Sequence, residues 1–549
     1  MSTYNERYFR EFFERNFLYI EGFMRNVRRY GDRPALVDVE SDRSWNYREL
    51  NAEANRFART LLASNLKPGD VVTYQLMNCP EFAFIYLGCQ KIGVINNPIN
   101  YRLSSGETAY ILEDSLSRVY IFDVSIRETA EEALKLSKHK PDVVVVVGEG
   151  EAGSGVIPYR EFISGASDEN PEDPFRFGRG AFSETTRLYT SGTTGKPKGV
   201  PLNNINEILT AHDVIMHLHL TVDDVLLNIS PWFHRGGIHI GGPGPAFYLG
   251  ASIVALKFFH PRTTLEAISK YGVTYVVGVP TMYKLMLEEQ KKRGLDLSKL
   301  RGVVSMGAPL DRSLCIEMQE VFTPNIFNGY GTSETFWNTL LLPGDLPDRA
   351  GKAGRACVDD EIRVVRVYED KLADPDDTVA QDEEEVGEVI VKTFKSLYDY
   401  YKKPEELKMK VFKDWFYTGD LAVWDRNQYI TIVSRKDDMI IVGGENIYPI
   451  QIEEAIQEHP KVMSCAVIGI PDRQRGQALA AYVVKKDESL TIEELREFIK
   501  GHPMIPPYKR PRYYCFVEQL PMTATGKKQH YKLREQALKD LEEGRLVRF

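Results

Sequence analysis

Residues 188–200 read LYTSGTTGKPKGV and crowd glycines, five hydroxyl side chains and two lysines into one short stretch. Glycines let a backbone come close to an anion, while amides, hydroxyls and lysines supply donors and positive charge. The spacing is not that of a Walker loop, because Gly192, Thr193, Thr194, Gly195 and Lys196 are followed by Pro197 rather than by Ser or Thr. The plain alternative is a flexible Gly/Ser/Thr loop; the density of donors favours a loop that grips phosphate. Other residues say less in isolation. Asp420 alone reads as a turn aspartate, and a histidine beside an aromatic, such as His234 after Phe233, is usually structural.

Six further stretches follow in order: PWFH (231–234), GAP (307–309), NGYGTSE (328–334), YTGD (417–420), SRKDDMIIVGGENIYP (434–449) and PMTATGK (521–527). With 188–200 they closely resemble, across roughly residues 45–530, the signature of the adenylate-forming (ANL) superfamily, which includes acyl-CoA synthetases, luciferases and peptide-synthetase adenylation domains. The resemblance implies an AMP-forming acyl-CoA synthetase with a small-molecule carboxylic acid, ATP and coenzyme A as substrates and magnesium as cofactor. A carboxylate then attacks the α-phosphate of ATP and expels pyrophosphate. Two anions must meet, so electrostatic positioning carries the catalysis.

Roles follow residue by residue from that resemblance. Lys527 matches the lysine bridging carboxylate and α-phosphate, and its neighbour Lys528 reads as a surface lysine. Thr190, Ser191, Gly192, Thr193, Thr194, Gly195 and Lys198 match the loop on the β- and γ-phosphates. Glu334 matches the magnesium carboxylate, a hard oxygen ligand. Asp420 suits the ribose hydroxyls, Arg435 the ribose and phosphate, and Thr332 lies beside the reacting phosphate. Gly307, Ala308 and Pro309 with Asn328, Gly329, Tyr330 and Gly331 form the adenine slot, Tyr330 stacking. His234 joins Lys527, Thr190 and Glu334 among the catalytic candidates as the histidine that gates the thiol entrance or orients the acyl group, and is not assigned as a general base. In the second half-reaction the C-terminal domain swings about a hinge at Asp437 and presents Gly443 and Gly444 to the pantetheine arm. Arg475 stands where an aromatic commonly stacks on the adenine of coenzyme A, and its guanidinium can stack or meet phosphate. Asn203, Asn204, Ile205 and Asn206 replace the common Ser/Thr-His-Arg-Asn turn, so any role of that histidine or arginine is absent.

Gly331 occupies the position where acetate-specific relatives carry tryptophan, which implies an acid larger than acetate. The expected pocket wall is Trp232, His234, Gly236, Gly237, Gly241, Met306, Gly331, Phe336 and Trp337, suited to a medium-chain, branched, alicyclic or aromatic tail. Whether its aromatics line a pocket or pack a core stays open. Arg235, which follows His234, has two readings, one that meets a polar group on the substrate and one that faces outward, and the outward one is expected. Two alternatives remain beside coenzyme A ligation: loading of a carrier-protein phosphopantetheine in trans, and a non-catalytic nucleotide-binding relative, against which Lys527, Glu334 and Asp420 count. The motifs do not separate luciferase-like oxygenation.

The elements that must position these residues are legible too. Asn46 and Glu49 form a capping-box pattern before a helical repeat at 50–62; a strand at 71–76 and a helix at 80–92 follow. Strands at 252–256 and 274–279 alternate with helices at 264–270 and 281–292, which predicts a parallel, doubly wound α/β body. After about residue 355 short strands dominate (361–367, 387–392). From 450 to 541 the order is helix, strand, strand, helix, strand, helix. The fold class is therefore α/β: a large N-terminal domain of doubly wound sheets plus a β-rich subdomain (1–436), with a small mobile α+β C-terminal domain (437–549).

With 549 residues, 43% of them hydrophobic, disorder is excluded, and a net charge of -9 argues against a nucleic-acid partner. Ten acids and one base between Glu369 and Glu388 account for the whole net charge, and that segment reads as a solvated loop. Six scattered cysteines without a C-x-x-C pair suit a reduced compartment. A charged N-terminus without an apolar core is no signal peptide, and no apolar run spans a membrane, so the expectation is cytoplasmic. A homodimer is among the assembly states left open.

Overall fold

A computed structural model describes residues 5–150, 153–172, 180–190, 197–368, 371–396, 398–442, 445–472, 476–502, 505–522 and 528–548. The chain forms two compact units, one of residues 1–361 and 392–411, the other of 362–391 and 412–549.

In the first unit, continuous apolar runs become strands buried on both faces, as parallel sheets require. Among the described residues there are two large sheets. One runs Ile157–Pro158, Val143–Val147, Val119–Asp123, Val71–Gln75, Ile95–Pro98, Glu184–Thr190, Lys198–Asn203. The other runs Arg355–Ala356, Phe336–Leu341, Ile326–Thr332, Gly302–Met306, Tyr275–Gly278, Val225–Asn228, Ser252–Ala255, Pro34–Asp38, Ser44–Asn46. Its strands from Ile326–Thr332 through Ser252–Ala255 are all parallel, so their carboxyl ends share one edge. From Val225–Asn228 the chain goes first to Ser252–Ala255 on one side, then to Tyr275–Gly278 on the other. That reversal makes the end of Val225–Asn228 a topological switch point, where open α/β sheets bind ligands. The helices packed on these strands start and stop by local rules. Asn46 and Glu49 close the expected capping box on Tyr47–Ala63, and Pro280 opens Pro280–Arg293 while Gly294 ends it in the left-handed region.

In the second unit, Trp415–Trp424 pairs antiparallel with both Gly387–Thr393 and Ile430–Arg435. A four-stranded sheet follows, in the order Val462–Asp472, Gly476–Lys485, Tyr513–Phe516, Val547–Arg548. Alternation along the second strand sends Leu479, Ala481 and Val483 to a core with Ile452, Ile456, Leu495 and Ile499, and Ala478, Ala480 and Tyr482 to another with Leu533 and Ala537. The fold class is as expected. The compact units, however, join the β-rich segment to residues 437–549 rather than to the first unit. Leu421, Val423 and Val433 share a cluster with Met439 and Tyr448, so apolar packing runs straight across residue 437. The acidic segment is not simply solvated: Asp374, Asp376, Asp377 and Glu385 pair with Lys413, Arg363 and Arg366, and Glu388 is buried.

Candidate active site

Three of the sequence stretches meet at the switch-point edge. Residues 229–235 continue from Val225–Asn228, 307–309 from Gly302–Met306, and Thr332 ends Ile326–Thr332. Asn228 shapes the first of them, its amide donating to Gly236 O at 3.0 Å and Ile240 O at 2.6 Å. Asn78 holds it from outside, accepting from Trp232 N at 2.8 Å and donating to Ser230 O at 3.0 Å. Polar atoms without partners collect here among the described residues: Ser230 Oγ, Trp232 Nε1, Arg235 Nε, Ser305 Oγ and Asn328 Oδ1. Each costs about 1–3 kcal/mol when left so, and a ligand at this edge could supply missing bonds.

The turn at Gly307 has φ +79°, with Gly307 and Pro309 exposed and Ala308 half-buried. Asn328 is fixed by its amide on Lys352 O at 3.0 Å. Thr332 Oγ1 lies 2.9 Å from Thr335 Oγ1 and accepts from Thr335 N. Between Tyr330 and Gly331 the ladder to Phe336–Leu341 shifts register, setting Gly331 opposite Trp337 and Thr332 opposite Phe336. A Cβ on Gly331 would overlap the carbonyl oxygen of Phe336. Glycine is demanded here by backbone approach, a reason for the residue that is independent of the width of an acyl tunnel.

The phosphate-loop arms come from the other sheet of this unit. Thr190 pairs across the ladder with Lys198; Ser191, Gly192, Thr193, Thr194 and Gly195 lie outside the described residues. Lys198 is ion-paired with Glu406, its Nζ is 5.8 Å from the Tyr400 ring centroid, and Tyr400 Oη donates to Glu334 Oε1 at 2.7 Å. Lys198 and Glu334 are thus linked through Tyr400, a residue with no sequence signal, and Lys198 rests on Glu406. Glu334 is half-buried and accepts from a hydroxyl, and among the described residues it makes no ion pair, which fits a carboxylate that could hold magnesium.

The expected pocket wall is placed unevenly. Gly236 faces Met306, whose Sδ would be 2.8 Å from a Cβ there, while a Cβ on Gly237 would overlap Pro231 O and Gly241 (φ +60°) packs on Val277. Trp232 is fully buried against Phe82 with ring centroids 5.6 Å apart, and His234 lies against Phe233 at 4.2 Å. Trp337 donates its indole N–H to Asp213, which Lys395 Nζ meets at 2.8 Å; Lys395 also pairs with Asp360 at 2.9 Å, all of them buried. Asp213, His217 and Cys357 could in principle share a metal, but Lys395 already neutralises Asp213. Arg235, expected to face outward, is 3% exposed.

In the second unit Asp420 and Arg435 are cross-strand partners joined at 2.8 Å. Glu388 shapes the turn before them, accepting from Gly419 N at 3.1 Å and pairing with Lys436 at 3.3 Å. Lys528 is no surface lysine: it pairs with buried Glu453, which also accepts from His530 Nε2 at 2.7 Å and Val467 N at 2.8 Å. Lys527, Gly443, Gly444, Arg475 and the side chain of Asp437 lie outside the described residues.

The model of the AMP-binding enzyme family matches residues 23–401, and that of the AMP-binding enzyme C-terminal domain matches 451–527. The chain belongs to the AMP-binding enzyme family. Within this family it is 32% identical over 483 residues to a feruloyl-CoA synthase of Amycolatopsis sp, covering 88% of this chain and 91% of that one. It is 29% identical over 543 residues to the mitochondrial medium-chain acyl-CoA ligase ACSF2 of Mus musculus, covering 93% and 86%. Among solved structures it resembles the anthranilate CoA ligase AuaEII in complex with anthranoyl-AMP, with TM-score 0.86, 28% identity, and 96% and 98% of the two chains covered. This AMP-binding enzyme is an AMP-forming acyl-CoA synthetase: it adenylates a carboxylic acid with ATP and transfers the acyl group to coenzyme A. Among the described residues no helix is long and apolar enough to cross a membrane.

Proposed function

We propose that the acid is larger than acetate and has a compact tail: medium-chain, branched, alicyclic or aromatic. The register that sets Phe336 opposite Thr332 and Trp337 opposite Gly331 carries this reading. In this reading a carboxylate beside Thr332 would lie next to the strand that carries these aromatics, and such a ring offers a large apolar surface. The feruloyl, medium-chain and anthranilate relatives support tails of this kind.

Two unit charges 4 Å apart repel by about 4 kcal/mol at an effective dielectric near 20, so the attack requires countercharge. In our reading Lys527 bridges the two anions. Thr190, Ser191, Thr193, Thr194 and Lys198 hold the β- and γ-phosphates with the backbone at Gly192 and Gly195. The adenine sits among Gly307, Ala308, Pro309, Asn328, Gly329 and Tyr330, and Asp420 and Arg435 take the ribose. Glu334 holds magnesium, which when bound neutralises phosphate charge. Residues 437–549 then turn about Asp437 so that Gly443, Gly444 and Arg475 serve coenzyme A, with His234 at the thiol entrance. The test is a carboxylate panel with ATP, following pyrophosphate release with and without coenzyme A. Acids with compact hydrophobic tails should outrun acetate; an acetate optimum would overturn the reading.

A further inference from the structure

Among the described residues, the buried charged groups beside the aromatic wall other than Arg235 meet side chains directly. Lys395 has Asp213 and Asp360, and Glu207 has His239 Nε2 at 2.7 Å with Tyr86 and Thr186 donating as well. Arg235 opens the short helix Arg235–His239 beside them. Among the described residues its guanidinium hydrogen-bonds to two backbone carbonyls: Nη1 donates to Ser333 O at 2.6 Å and Nη2 to Lys395 O at 2.7 Å. Its Nε has no partner, and among the described residues it makes no ion pair. Burial pulls its pKa down to about 10, and Glu207, Glu334 and Asp360 act on it only from a distance.

Burying a charge costs several kcal/mol, which two carbonyl bonds of about 1.5–3 kcal/mol each offset while Nε stays unbonded. The same guanidinium sits 5.4 Å from the centroid of the Phe336 ring, and the next residue, Gly236, lies against Met306. It therefore borders the wall assigned above to the acyl tail. We infer that Arg235 is a specificity-determining residue that receives an oxygen acceptor, ideally an ionised carboxylate, on the tail of the acid. The substrate class narrows to compact acids carrying a second acceptor group. This inference rests on the proposed position of the acyl tail.

The experiment compares acids matched in length: hexanoate with adipate, octanoate with suberate, benzoate with phthalate, each by kcat/KM for pyrophosphate release. For at least one pair, wild-type enzyme should favour the dicarboxylate by roughly 10–100-fold, the range of one or two charge-assisted hydrogen bonds. Arg235→Met should reverse that preference, and Arg235→Lys should keep part of it. A merely structural arginine would lower both members of a pair equally, leaving the ratio unmoved and the inference overturned. The wild-type ratio decides even if Arg235→Met fails to fold, because a monocarboxylate preference in every pair also overturns it. Strong turnover of monocarboxylates alone would sink this inference and leave the adenylation reading standing; silence with every acid would sink both.

Discussion

At the scale of single residues, charge placement governs this protein, and the net charge of -9 conceals it. Lys198 is held by Glu406, and Arg435 by Asp420, so the cations expected to meet ATP each rest on a carboxylate of the chain. Lys527 has the sharpest assigned role. Lys527→Ala should reduce acid-dependent pyrophosphate release by more than roughly 100-fold, the scale of one preorganised charge at a reacting centre. It should largely spare thiolation of supplied acyl-adenylate. Equal loss in both half-reactions, measured separately, would reassign the lysine.

At the scale of elements, the hairpin of Ile326–Thr332 and Phe336–Leu341 carries residues proposed above for both nucleotide and acid, and its bulge needs a residue without a Cβ. Gly331→Ala should destabilise the fold by about 1–3 kcal/mol, the usual cost of overpacking, read as a lower urea midpoint at unchanged m. Adenylation should fall for all acids alike; a selective shift toward shorter acids at full stability would restore Gly331 as a gauge of tail length. The helix Pro449–Gln457 carries Glu453 into the interior. Burial alone would raise its pKa, but the charge of Lys528 and hydrogen bonds from His530 and Lys528 outweigh it and hold the carboxyl at about 2. The folded value lies below the ordinary one near 4.5. The pair therefore stabilises above that pH, and the contribution fades as pH falls from there toward 2. Urea unfolding of wild type between pH 5 and pH 3 (roughly the upper part of that window) should show a stability loss that Glu453→Gln lacks; parallel curves would contradict the assignment.

At the scale of the molecule, the proposed two-step chemistry has residues 437–549 serve first as the source of Lys527 and then as a thiolation surface. Apolar packing runs continuously from Leu421 and Val433 to Met439 and Tyr448, so a turn about Asp437 must re-form this cluster or carry it along. Asp437→Pro fixes one backbone dihedral at the proposed pivot. It should leave an adenylate burst while slowing thioester formation more than roughly tenfold, as quenched-flow separation of the two products would show. An unchanged overall rate would remove the two-conformation account.

Much of this was legible in residue order. The capping box at Asn46, the helix Pro80–Ile92, the alternating strands and helices, and the small C-terminal fold all follow from periodicity and punctuation, because those signals act within a few residues of chain. The motifs were legible for the same reason: each is a contiguous run. What only folding decided are the pairings between distant residues. Tyr400 joining Lys198 to Glu334, Glu388 shaping the Gly419 turn, and Lys395 locking Asp213 behind Trp337 each span tens to hundreds of residues. Side-chain exposure belongs with them, since Arg235 and Lys528 look like surface cations in sequence and are placed inside only by their neighbours. A local pattern records what a segment prefers. Whether a charge is buried, paired or left for a ligand depends on which segments the sheets bring together.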